Sequence, residues 1–148
     1  MARMTQSQRE NAKRKKSVQE LTNGNTFSII RHDIINREEY FRLSNRAKAL
    51  LLDLIGRYNR LNNGDISIAY SLMKKRGWSS ETTLRSAIKD LIDARFILVT
   101  RQGGRNKICS LYALTCFPIN EIRDKNDKLK ISLGATRRPL DYWKDEYM

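Results

Sequence analysis

The sequence predicts an α+β fold: three helices forming a core, then a β-hairpin, with a basic arm in front and a charged extension behind. Three observations carry this expectation. Apolar residues recur at helical spacing three times between residues 44 and 93. The pattern then switches to two short runs rich in β-branched and aromatic residues, separated by a glycine-bearing turn. Finally, 148 residues with 40% hydrophobic content suit one domain of ordinary size and leave no room for a two-domain enzyme.

Charge sets the class of partner. Lys and Arg number 29 against 16 Asp and Glu, a formal net charge of +13. An excess of this size points to nucleic acid first and an anionic membrane surface second. No apolar run approaches the roughly 20 residues of a membrane span, so a membrane role is not expected. The N-terminus is basic but lacks the apolar stretch of a secretory signal, so the expected location is the cytoplasm, on the nucleoid through DNA. Only Cys109 and Cys116 are present, and a disulfide framework is excluded.

The charge is unevenly placed. Residues 1–24 carry six basic and two acidic side chains, a net of +4, and include Lys13, Arg14, Lys15 and Lys16 in a Gln/Ser/Asn-rich setting. With almost no large apolar residues this segment cannot fold by burial, and it reads as a flexible basic arm for phosphates or solubility. Residues 25–117 carry sixteen and eight, a net of +8, and form the expected domain. Residues 118–148 carry seven and six, a net of +1, and read as an extension. Its Leu129, Ile131, Leu133, Leu140 and Trp143 make it the candidate segment for dimerisation or partner recruitment, with a solvated tail as the alternative.

Within the domain, Ser44 and Asn45 start a helix whose Ala47, Leu50, Leu51, Leu54, Ile55 and Tyr58 form one stripe. Leu61, Asn62, Asn63 and Gly64 break it with turn chemistry. Asp65, Ile66 and Ser67 allow a single strand pairing, and Ser67 can cap a short second helix. Lys74, Lys75 and Arg76 occupy its last turn, where positive charge suits the dipole, and Gly77 ends it. Ser79 or Ser80 caps a third helix. There Leu84, Ala87, Ile88, Leu91 and Ile92 face inward, leaving Thr82, Arg85, Ser86 and Lys89 outward with Thr83 on the flank.

Residues 96–101 and 108–115 are the expected strands, joined through Gly103 and Gly104 and carrying Arg101, Arg105 and Lys107 near the tip. Residues 26–30 are expected as a further strand or an ordered lead-in.

The order of helix, short strand, short helix, tight turn, helix and basic-tipped hairpin resembles the winged helix-turn-helix superfamily, here a small protein of phage or mobile-element type. The match is carried by "DISIAYSLMKKRGWSSETTLRSAIKDLIDARFILVTRQGGRNKICSLYAL", Asp65 to Leu114, and extends over about residues 42–116. One departure is Arg95, where many relatives end the third helix with Gly. The resemblance implies a homodimer on double-stranded DNA, with the third helix in the major groove and the hairpin as a wing on the flank. Groove geometry agrees: a cleft about 12 Å wide accepts one helix that buries one face and offers the other. Arg85 suits guanine; Ser80, Thr82, Thr83 and Ser86 suit bases or phosphates; Lys89 suits a phosphate. Transcriptional regulation is the leading role, with phage or plasmid replication and maintenance next. A winged-helix protein-interaction or RNA-binding module is the rival of a different class.

Catalysis finds little footing. His32 is the single histidine and reads as structural, and no cysteine or carboxylate spacing makes a metal set. No cofactor and no enzymatic activity are expected.

Overall fold

The computed structural model describes residues 2–144. In chain order these form α1 (Gln6–Leu21), α2 (His32–Ile35), α3 (Glu38–Phe41), α4 (Asn45–Arg57), β1 (Ile66–Ser67), α5 (Tyr70–Lys74), α6 (Glu81–Asp93), β2 (Ile97–Arg101) and β3 (Leu111–Leu114). The strands make one antiparallel sheet in the order β1-β3-β2. The molecule is therefore α+β, with helices packed against a small sheet.

Helices α4 and α6 build the main core, and their caps show how. Ser44 accepts from the Ala47 N–H at the start of α4 and donates its own hydroxyl to Asp90 of α6 at 2.7 Å. One side chain thus closes one helix and ties it to the next. Leu50, Leu54, Leu84, Leu91, Met73 and Phe96 are fully buried between them. Helix α6 starts at the Ser80 cap and ends in a Schellman arrangement, with Arg95 N–H on the Ile92 carbonyl and Phe96 N–H on that of Leu91. Arg95 sits at φ +62°, the left-handed position a glycine would fill at no cost. The strain, about 1–2 kcal/mol, is offset by fully burying Phe96 and by Thr115, whose hydroxyl donates to the carbonyls of Arg95 and Phe96.

Helix α5 is shorter than expected. Its N-cap is Ala69, which has no side-chain oxygen, while Ser67 accepts from the Ala69 N–H one step earlier. Gly77, at φ +98°, ends that turn as expected. Residues 26–30 are ordered without pairing as a strand. The hairpin register holds from Ile97↔Leu114 to Val99↔Tyr112, then bulges so that Arg101 meets Leu111. The extra residue, Thr100, turns inward and donates to the Gly64 carbonyl at 2.6 Å.

Two segments carry structure that the sequence patterns did not suggest. The N-terminal arm is helical: Thr5 and Gln8 form a reciprocal capping box, and Asn23 and Gly24 close the other end at positive φ. No residue of α1 is buried, so its order comes from local propensity and caps rather than a core. Residues 119–144 also pack against the domain, and residues 145–148 of the expected extension lie outside the described residues. Ile119, Ile122 and Ile131 bury against Leu111 and Ala113, with Leu133 and Leu140 packed beside them. Trp143 is 2% exposed, stacked on Phe96 at 5.6 Å and flanked by the Arg31, Arg37 and Lys144 cations. Of the five apolar residues expected to pair or recruit a partner, Ile131 and Trp143 are buried, Leu133 and Leu140 are half-buried, and Leu129 is exposed.

The junction that binds these parts is Asn63, wholly buried. Its amide donates to the carbonyls of Leu114, Phe117 and Pro118, and its oxygen accepts from the Leu114 N–H at 2.7 Å. Its backbone pairs reciprocally with Asn120. Asn63→Leu should lower unfolding free energy by at least about 3 kcal/mol in urea titration, because several buried polar groups lose their partner. Trp143→Ala should cost about 3–5 kcal/mol. A loss within about 0.5 kcal/mol would mark the C-terminal segment as dispensable.

Candidate nucleic-acid interface

The expected reading helix is α6. Thr82, Arg85 and Lys89 are exposed on it, with Ser86 half-buried beside them. Ser80 and Thr83 have another duty: the Ser80 hydroxyl accepts the Thr83 N–H at 3.2 Å, so both belong to the cap and Thr83 is half-buried. The outward face also carries the acids Glu81 and Asp93. Arg85 pairs with Glu81 at 2.9 Å and Lys89 with Asp93 at 2.6 Å, each one turn away. The Lys89 ammonium donates to the Asp93 carboxylate, which raises the Lys89 pKa and favours its charged form. Glu81, Arg85, Lys89 and Asp93 thus form one stripe of zero net charge.

The hairpin lies beside the start of this stripe, at Glu81 and Arg85. A cleft of about 230 Å³ lies between them, walled by Glu81, Leu84, Arg85 and Ile88 of α6, by Cys109, Ser110 and Tyr112, and by Ile68, Ala69 and Tyr70 at the start of α5. Arg105 and Lys107 are exposed on the loop beyond β2, and Asn106 and Lys107 both sit at positive φ, which turns the tip sharply. Gly103 is required there for a different reason: a Cβ would come within 2.5 Å of the Ser110 backbone nitrogen. Arg101 departs from expectation. Its guanidinium turns back and donates twice to the Cys109 carbonyl, at 2.9 and 3.3 Å, so it braces the hairpin instead of projecting from the tip.

Lys74 and Lys75 are exposed at the end of α5. Arg76 is held at 3.2 Å by Asp53 of α4, whose other oxygen accepts the Trp78 indole N–H at 2.8 Å. That latch fixes the turn leading into α6 and explains Trp78 as a packing residue. Lys13, Arg14, Lys15 and Lys16 are exposed on α1, where their spacing distributes them around the helix instead of along one face. His32 is exposed at the start of α2 and touches none of this.

The stripe Glu81, Arg85, Lys89, Asp93 was legible as an i, i+4 series. The Asp53 latch was not, because it spans 23 residues. No group of three or more metal-ligating side chains occurs among the described residues, and no helix among them is long and apolar enough to cross a membrane. The chain matches no known protein family, no curated protein and no solved structure.

The two thiols differ sharply. Cys109 is exposed on the cleft wall, whereas burial pushes the Cys116 thiol up to about 12 and shields it. A raised pKa leaves the unreactive protonated form dominant through mildly alkaline pH. An aromatic disulfide reagent should therefore titrate one thiol in the native protein and two in concentrated guanidinium. Two rapid equivalents in the native state would contradict this packing.

Proposed function

We propose that the chain is a sequence-specific double-stranded DNA-binding protein of winged-helix type, with transcriptional regulation as its role. On this reading α6 enters the major groove, the hairpin lies on the flanking DNA, and Lys13 and Lys16 of α1 add phosphate contacts. The observation that carries it is the shared cleft: an exposed polar helix face and a basic-tipped hairpin stand side by side on a chain of net charge +13. A homodimer on two half-sites belongs to the same reading, paired through a surface other than the buried Ile131 and Trp143.

The neutral stripe on α6 bears on how binding would work. Exposed i, i+4 ion pairs contribute only about 0.3–0.5 kcal/mol. A bidentate arginine–guanine contact is worth about 1–3 kcal/mol of discrimination. Arg85 therefore gains by leaving Glu81 for a guanine, but only where a guanine is offered. Elsewhere the pair stays closed and Glu81 repels phosphate. Glu81 thus suppresses indiscriminate binding while leaving the matched site favourable, a specificity achieved partly by repulsion.

Selection from a genomic fragment pool, followed by fluorescence anisotropy, tests this. Arg85→Ala should weaken the selected duplex by about 1–3 kcal/mol and leave random-duplex affinity nearly unchanged. Glu81→Gln should do the reverse, tightening random duplex and narrowing the gap between selected and random sequence. Absence of duplex binding at low salt would overturn the proposal.

A further inference from the structure

A second basic surface lies away from the cleft and differs from it in chemistry. The chain leaves α1 at residue 22 and returns to the C-terminal end of α4. Both ends of this return are pinned. Gly24 N–H bonds the Gln19 carbonyl at 2.9 Å and the Asn25 amide bonds Thr22 at 3.0 Å, while the Ser28 hydroxyl donates to the Ile55 carbonyl at 3.2 Å. Between these anchors Phe27 is held 58% exposed. A large aromatic ring left this exposed contributes little burial to the fold.

Two hollows meet at that ring. One, of about 390 Å³, includes Arg14, Lys15 and Val18 of α1 in its lining. The other, of about 570 Å³, includes Arg57, Tyr58 and Arg60 at the end of α4. Phe27 lines both, and neither lining contains an Asp or Glu. Tyr58 is set in place by stacking on Phe117 at 4.1 Å, and Arg57 by a bond from its guanidinium to the Ser67 carbonyl at 2.7 Å. The two hollows share the Phe27 ring, and basic side chains line each of them, which gives a basic groove bearing an exposed aromatic ring.

We infer that this groove binds a single-stranded nucleic acid, one base stacking on Phe27 and the adjoining phosphates meeting Arg14 and Lys15 on one side and Arg60 on the other. Stacking needs an unpaired base, since a duplex hides both faces of its bases, and the absence of carboxylates leaves the phosphates unopposed. The geometry is independent of α6, so this inference does not rest on the duplex reading above. If both hold, the protein grips duplex on one surface and an opened strand on another.

The test uses the full chain with labelled oligothymidine, oligouridine and a mixed-sequence duplex at low salt. Oligothymidine and oligouridine together decide between DNA and RNA as the strand. Phe27→Ala should weaken single-strand binding by between about fivefold and a hundredfold, with unchanged circular dichroism because the ring is exposed. Phe27→Tyr should retain it. Arg60→Ala should weaken it as well and reduce the log–log salt slope by about 0.7, one phosphate contact. Duplex affinity should not move in any of the three. Three results would overturn the inference: no single-strand binding, single-strand binding indifferent to Phe27→Ala, or an equal loss on duplex. Failure of the α6 reading would show separately, as an Arg85→Ala variant with unaltered duplex selectivity.

Discussion

One buried amide holds the molecule together. Asn63 stands where α4 has ended and the sheet begins, and its side chain stands in for a strand edge, accepting from the Leu114 N–H and donating to carbonyls as far on as Pro118. In a low-dielectric interior such groups cost about 1–3 kcal/mol each when unpaired, so the segments they belong to have one acceptable arrangement. Gly64 continues the constraint. Its φ of +120° excludes a side chain, and a Cβ would lie 2.7 Å from the Ile131 side chain. Thr100 from the hairpin then bonds the Gly64 carbonyl. Helix, sheet and C-terminal segment therefore meet at two adjacent residues.

A second lock works at the other end of the core. Arg31 bonds both Asp33 and Asp141, and the Cys116 carbonyl at 3.4 Å, so the lead-in to α2 is fastened to the last described turn. The Arg31 guanidinium holds the Asp33 carboxyl below its ordinary range. Trp143 completes the seal by covering Phe96. Together these contacts place 110 residues of sequence separation across one salt bridge and bring Trp143 into the same core as α4 and α6.

Positive charge, abundant in the composition, is sorted by this architecture into unlike surfaces. On α6 it is balanced by acids one turn away, a pattern suited to conditional contact. Around Phe27 it is unopposed and interleaved with aromatic rings. At the hairpin, Arg101 is spent on the backbone while Arg105 and Lys107 remain outside. A count of lysines and arginines treats these as equivalent, and their partners make them different.

By itself the sequence determined the local elements. Periodicity and caps predicted α4 from Ser44 and α6 from Ser80 almost to the residue, and β-branched runs predicted the hairpin. These are properties of neighbours within one or two turns. Tertiary structure decided the rest. Helices α2 and α3, four residues each, are too short to leave a periodic signal. The C-terminal residues have no regular pattern because they fill gaps left by other elements. The capping box of Thr5 and Gln8 was readable, yet its helix could be weighed only against a core it does not touch. Asn63 looked like turn chemistry, and Phe27 like an apolar residue in a lead-in. A hydrogen bond across 51 residues and the hollow that Phe27 makes with the end of α4 exist only once the chain is folded, because proximity in space, not spacing in sequence, creates them.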